Sequence, residues 1–189
     1  MIVRFRKTGV HRYGVFVERG EALAVWINPA PGFDEYLPHD LLHFVAEAEW
    51  GLDGAVFGQL AAGGDAGMFV PTDKALLSKQ MRRRKRAQRT KPKPRGRRSE
   101  LLAGILEVAW YARRRNEPLP ADWEERLAAA RVERAEVDAV VARLDGFAER
   151  WHALRIGESI ELTWPRPEGR RHRARTPEKR GPHRTPQRV

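Results

Sequence analysis

His39 and His43 stand four residues apart with Asp40 between them, in the run Leu37-Pro38-His39-Asp40-Leu41-Leu42-His43-Phe44. On a helix such a pair lies about 40° apart around the axis, so two neutral imidazoles can converge on one tetrahedral zinc ion. The pattern is HDxxH, one methylene from the HExxH of zinc proteases, and Asp40 takes the position of the base that holds the attacking water. Under that reading zinc is the cofactor and metal-assisted hydrolysis the reaction class; otherwise no cofactor is expected. Asp is shorter than Glu, however, and His39 falls in the first helical turn. A third ligand is also needed. Glu47 is eight residues beyond His39, about 12 Å of helix rise, a long span for one ion. His11, Asp65, Asp73 and Glu107 are further donors, and no spacing selects one. The same residues suit a structural role as well: His39 closing a loop, His43 hydrogen-bonded in a core-facing helix, and Asp40 complementing the helix dipole.

The elements around this run follow from patterning. Val3 and Phe5 alternate with Arg4 and Arg6, as in a half-buried strand. Tyr13, Val15 and Val17 alternate in a second. Arg19-Gly20 suits a tight turn, and a third strand follows with Leu23, Val25 and Ile27 inward. The prolines of Asn28-Pro29-Ala30-Pro31-Gly32 stop it. Pro38 fits the start of a helix that carries His39 and His43 and ends at Gly51. Residues 53–62 form a short second helix, and Met68-Phe69-Val70-Pro71 is a brief strand or an anchoring segment.

Further on, Ser99 reads as the N-cap of a helix over 100–115, ended by Asn116 and Pro118, and Asp122 reads as the cap of another. Val137, Val140, Leu144, Phe147, Trp151 and Leu154 recur at steps of three and four, a heptad seam. The seam is expected to be intramolecular, a monomer being favoured over a homodimer. Ile160, Leu162 and Trp164 make a last strand, which needs the N-terminal sheet as its partner. The fold class predicted is α+β: a small antiparallel sheet of three N-terminal strands plus a C-terminal strand, packed by a central helix and a helical hairpin. The glycines Gly54, Gly58, Gly63, Gly64 and Gly67 form no phosphate-binding loop and read as turns and close packing.

Charge divides the 189 residues unevenly. The net charge is +11, but residues 79–98 carry +12 with no Asp or Glu, and residues 166–189 carry +7, which leaves −8 on the rest. The organisation expected is therefore residues 1–78 with the sheet and the histidine helix, 79–98 as a basic disordered linker, 99–165 completing the same core, and 166–189 as a basic disordered tail. Arg82, Arg83, Arg84, Lys85, Arg86, Arg89, Lys91, Lys93, Arg95, Arg97 and Arg98 are the candidate contacts to nucleic acid or another polyanion. Such arms neutralise phosphates without reading sequence, and no aromatic residue interleaves them for base stacking.

The chain has no cysteine, which excludes disulfides and thiolate chemistry. Mean hydropathy is −0.62, and no apolar run approaches the ~18 residues of a membrane span. The start, Met1-Ile2-Val3-Arg4-Phe5-Arg6-Lys7, shows no signal-peptide pattern, so a cytoplasmic location is expected.

The run Tyr36-Leu37-Pro38-His39-Asp40-Leu41-Leu42-His43-Phe44, with Phe57-Gly58-Gln59-Leu60-Ala61-Ala62-Gly63-Gly64 and the closing Thr163-Trp164-Pro165, resembles a family of bacterial proteins to which no activity attaches. The resemblance covers residues 1–71 and, more loosely, 99–165. It implies the N-terminal meander, the closing strand and a bacterial source. The charge distribution and the histidine spacing, not the resemblance, give two functional expectations. The first is a non-enzymatic protein that contacts nucleic acid or another polyanion through its basic arms. The alternative is a zinc-dependent hydrolase with His39 and His43 as ligands and Asp40 as base.

Overall fold

The computed structural model describes residues 1–20, 22–32, 36–73, 76–77 and 96–165. The expectations for the basic segment from 79 to 95, with Arg82, Arg83, Arg84, Lys85, Arg86, Arg89, Lys91, Lys93 and Arg95, and for the tail 166–189 lie outside the described residues, as does that for the Leu23 side chain.

Strands β1 (Ile2–Gly9), β2 (Arg12–Arg19) and β3 (Ala22–Ile27) form the expected antiparallel meander, followed by helices α1 (His39–Glu49) and α2 (Val56–Ala61). Val70–Pro71 is β4. Helices α3 (Arg97–Arg115), α4 (Trp123–Ala130) and α5 (Arg134–Ala153) precede β5 (Ser159–Thr163). The sheet is antiparallel with order β4-β3-β2-β1-β5. β5 pairs with β1, Ile2 opposite Thr163 and Arg6 opposite Ser159. The two-residue β4 is the brief strand within residues 68–71 and adds a fifth member to the four-stranded sheet expected, and α4 is the helix expected after Asp122.

The fold is α+β, with one sheet face covered. Val3, Phe5, Tyr13, Val15, Val17 and Val25 are buried on that face. Phe5 meets Phe44 of α1 edge-on, with ring centroids 6.0 Å apart, and Tyr13 meets Trp151 of α5 at 6.3 Å. Helix α3 packs on α1 and α5 packs on α3. Of the heptad seam, Val137, Val140 and Leu144 are fully buried and Trp151 is 5% exposed, so it faces the chain's own core. On the sheet's other face Phe16 and Trp26 stack at 5.5 Å, and Arg4 bridges Glu18 and Glu161.

Helix ends explain two differences from the patterning. α1 stops as expected: Gly51 takes φ +62°, and the Leu52 N–H reaches back to the Glu47 carbonyl at 2.9 Å. α3, in contrast, begins at Arg97, so Ser99 is not its cap and Arg97 and Arg98 are helical rather than linker. Arginine is a good helix former, and two of them extend the helix without needing burial. Asp122 does stand before α4, but its carboxylate binds Arg126 at 3.0 Å instead of capping the helix.

Among the described residues, no helix is long and apolar enough to cross a membrane.

Candidate metal centre

Helix α1 turns His39 and His43 to the same side, toward the first turns of α3. The two Nε2 atoms lie 3.2 Å apart, and the Glu100 Oε2 of α3 lies 3.6 Å from His43 Nε2. Donor atoms of these three residues fall within 4.8 Å of one another. With metal–nitrogen bonds of about 2.0–2.1 Å, two ligands on one tetrahedral ion sit about 3.3 Å apart, which is the spacing of the two imidazoles. His43 is buried, His39 is half-buried, and the Glu100 side chain is 73% exposed, so the group sits at the surface with one side toward solvent.

Behind His43 runs a chain of buried hydrogen bonds. The Ser99 hydroxyl donates to Glu47 Oε1 at 2.8 Å, and Ser99 Oγ lies 2.8 Å from His43 Nδ1. Because the serine proton goes to the carboxylate, Ser99 accepts the proton of Nδ1, and the lone pair of His43 is left on Nε2, facing His39 and Glu100. That is the tautomer a metal requires.

Glu47 is fully buried on the last turn of α1, where it caps a helix other than its own. Its carboxylate accepts from the backbone N–H groups of Val56 at 3.1 Å, Phe57 at 2.6 Å and Gly58 at 3.4 Å, the first turn of α2. No side chain of α2 caps that end. The close approach of this turn to the chain before it depends on Gly58, where a Cβ would sit 2.5 Å from the Asp53 backbone. Burial pushes the Glu47 carboxyl up to about 7, against the hydrogen bonds from Ser99 and the three amides.

Asp40, the sequence candidate for the base, is tied elsewhere. Its Oδ2 accepts from the Tyr13 hydroxyl of β2 at 2.7 Å, and the Tyr13 oxygen lies 3.3 Å from the Asp40 amide. Burial raises the Asp40 carboxyl and, more strongly, the Tyr13 phenol. This pair anchors the first turn of α1 to the sheet, where the positive end of the dipole meets the carboxylate.

Of the donors considered from sequence, none of His11, Asp65, Asp73 and Glu107 joins the histidines; among the described residues the third donor is Glu100. Glu47 reaches the centre only through Ser99.

Burial lowers the pKa of His43 from its ordinary 6.5, opposed by the Glu100 carboxylate and assisted by His39. A group depressed on folding gives stability that is present above its unfolded pKa and lost as the pH falls through the folded value. In metal-free protein, the denaturant midpoint should therefore drop relative to that of a His43→Asn variant as the pH falls below about 6.5, the raised carboxyls of Glu47 and Asp40 acting in the opposite sense in both proteins. The variant His43→Asn keeps a donor toward Ser99 and has no charge to gain, so it should lose less over the same range. Parallel pH profiles for the two proteins would exclude His43 as the group responsible.

The chain matches no family model, no curated protein and no solved structure.

Proposed function

We propose that the protein binds one zinc ion through His39, His43 and Glu100 and acts as a metal-dependent hydrolase. The observation that carries this reading is the 3.2 Å approach of two Nε2 atoms with the His43 tautomer set by Ser99 and Glu47. Two imidazoles and a carboxylate are a donor set suited to zinc, and three protein ligands leave a fourth position for water or substrate. Zinc bound there supplies a Lewis acid that lowers the pKa of water toward neutrality. The chain's own residues orient the ligands: Ser99 and Glu47 hold His43, while Asp40 and Tyr13 hold the turn that carries His39.

Metal analysis of purified, tag-free protein tests the reading. The wild type should carry close to one equivalent of zinc after exposure to the ion and buffer exchange. The His39→Ala/His43→Ala double variant should carry none. A wild type that retains no zinc, or a double variant that retains as much, would overturn the assignment.

A second reading, contact with nucleic acid or another polyanion through the basic segments, is supported by the charge distribution. The run over 79–98 holds +12 on a chain whose remainder outside the two basic segments is −8. Its last two arginines, Arg97 and Arg98, are exposed on the first turn of α3.

A further inference from the structure

The two features that carry these readings meet on one turn of helix. Arg97 and Arg98 are followed directly by Ser99, which holds His43, and by Glu100, the third donor. Arg97 and Glu100 are three positions apart on α3, which places them as neighbours on one face, with Cβ atoms about 5–6 Å apart. A group at the open side of the metal centre is thus within reach of the Arg97 guanidinium.

Several surface arginines are engaged with acids. Arg4, Arg113, Arg126, Arg134 and Arg143 each meet a carboxylate. Arg97 and Arg98 are exposed and make no ion pair among the described residues. With a divalent ion on two neutral imidazoles and one carboxylate, the centre itself is net positive. A bound ion together with these arginines would put positive charge at one edge of a body whose residues outside the two basic segments sum to −8, which favours an anionic substrate there.

We propose that the substrate of the metal centre is a nucleic-acid phosphodiester, with Arg97 contacting its phosphate oxygens beside the metal and Arg98 adding positive charge on the adjoining face of the helix. The proposal rests on the zinc reading above and names its substrate class. Phosphate is favoured by the forked donors of arginine, which match its oxygens in pairs. A polymer of phosphates is favoured over a single anion because Arg97 and Arg98 end a run of twelve cations with no acid among them. The reaction is hydrolysis: the oxygen of water bonds to phosphorus, one phosphorus–oxygen ester bond breaks, and the departing oxygen takes the proton that water gives up. One water is consumed, no redox partner is needed, and the products are a phosphate monoester and an alcohol.

The test uses the full chain and a fluorescein-labelled single-stranded DNA oligonucleotide, with zinc content measured on each sample. The wild type with zinc should cut the oligonucleotide, cutting should stop in chelator, and added zinc should restore it. Arg97→Ala/Arg98→Ala should keep the wild-type zinc content and lose about tenfold in kcat/KM, mostly through KM. Glu100→Gln should lose zinc and cutting together. A zinc-loaded wild type that leaves the oligonucleotide intact would overturn the proposal, as would an Arg97→Ala/Arg98→Ala variant with unchanged kinetics. So would zinc-dependent cleavage of an unfolded polypeptide with no cleavage of the oligonucleotide, which would leave the metal centre standing with a different substrate. Absence of zinc from the wild type would remove the centre itself and this proposal with it.

Discussion

Glu47→Ala is expected to destabilise the protein by about 4 kcal/mol, the scale of removing a buried charged acceptor from its donors. Four donors point at that carboxylate: the amides of Val56, Phe57 and Gly58 and the hydroxyl of Ser99. Alanine offers none of them an acceptor, and at 0% exposure of Glu47 water has no access to replace it without local opening. The first turn of α2 then has no cap, and the hydroxyl behind His43 has no fixed direction. The expected thermal midpoint is about 15 °C below that of the wild type. Glu47→Gln should fall between the two, since its amide keeps one accepting oxygen but turns an NH₂ group toward a donor. Chemical denaturation at neutral pH measures the loss directly. An alanine variant within experimental error of the wild type would show that the α2 turn finds its acceptors elsewhere.

Ser99→Ala separates the metal from the fold. The three donors remain, but His43 Nδ1 loses its partner at 2.8 Å, and with it the reason for one tautomer and one ring orientation. Removing the outer partner of a ligating histidine typically weakens metal binding by about 10–100-fold. The expected result is a zinc dissociation constant raised by about that factor in a chelator competition. The helical circular dichroism should stay that of the wild type, because the change removes one hydroxyl from a helix whose backbone bonds do not depend on it. An unchanged zinc affinity would mean that the buried serine serves packing alone.

The sheet was legible in the sequence because a strand with one wet face must alternate. Val3 and Phe5 against Arg4 and Arg6, and Val15 and Val17 against Phe16 and Glu18, leave little choice of face. Ile160 and Trp164 announced a strand whose only available partner was the N-terminal sheet, and both are buried. The histidine pair was legible for the same kind of reason, a spacing of four on a helix. Glu100 was not. It belongs to a helix that meets α1 only in three dimensions, Ser99 lying 56 positions beyond His43, and no local pattern links such residues. Its one sequence signal is position, the first carboxylate after a run of twelve cations, two residues beyond Arg98. Ser99 has the type and place of a cap, a serine at the edge of a charged run, but the helix extends two residues before it and buries it. Asp40 carries the same lesson. Its place in the HDxxH spacing suggested a base, whereas its hydroxyl partner Tyr13 comes from a strand 27 positions earlier.

The position of β1 has a consequence for how the chain reaches this state. The first strand is an interior one: β2 follows it across a short turn, but its other neighbour is β5, and Arg4 contacts Glu161 across 157 positions. During synthesis the meander can form early while β1 still presents a bare row of amides and carbonyls, and that row is covered only when β5 arrives. The cluster of His39, His43 and Glu100 is assembled in the same interval, since α1 emerges well before the turn of α3 that bears Glu100. Closure over so long a separation slows folding relative to a locally paired sheet of similar size. A chain cut before Ser159 should keep its histidines and its hairpins and still associate edge to edge, because its first strand never gains its second partner.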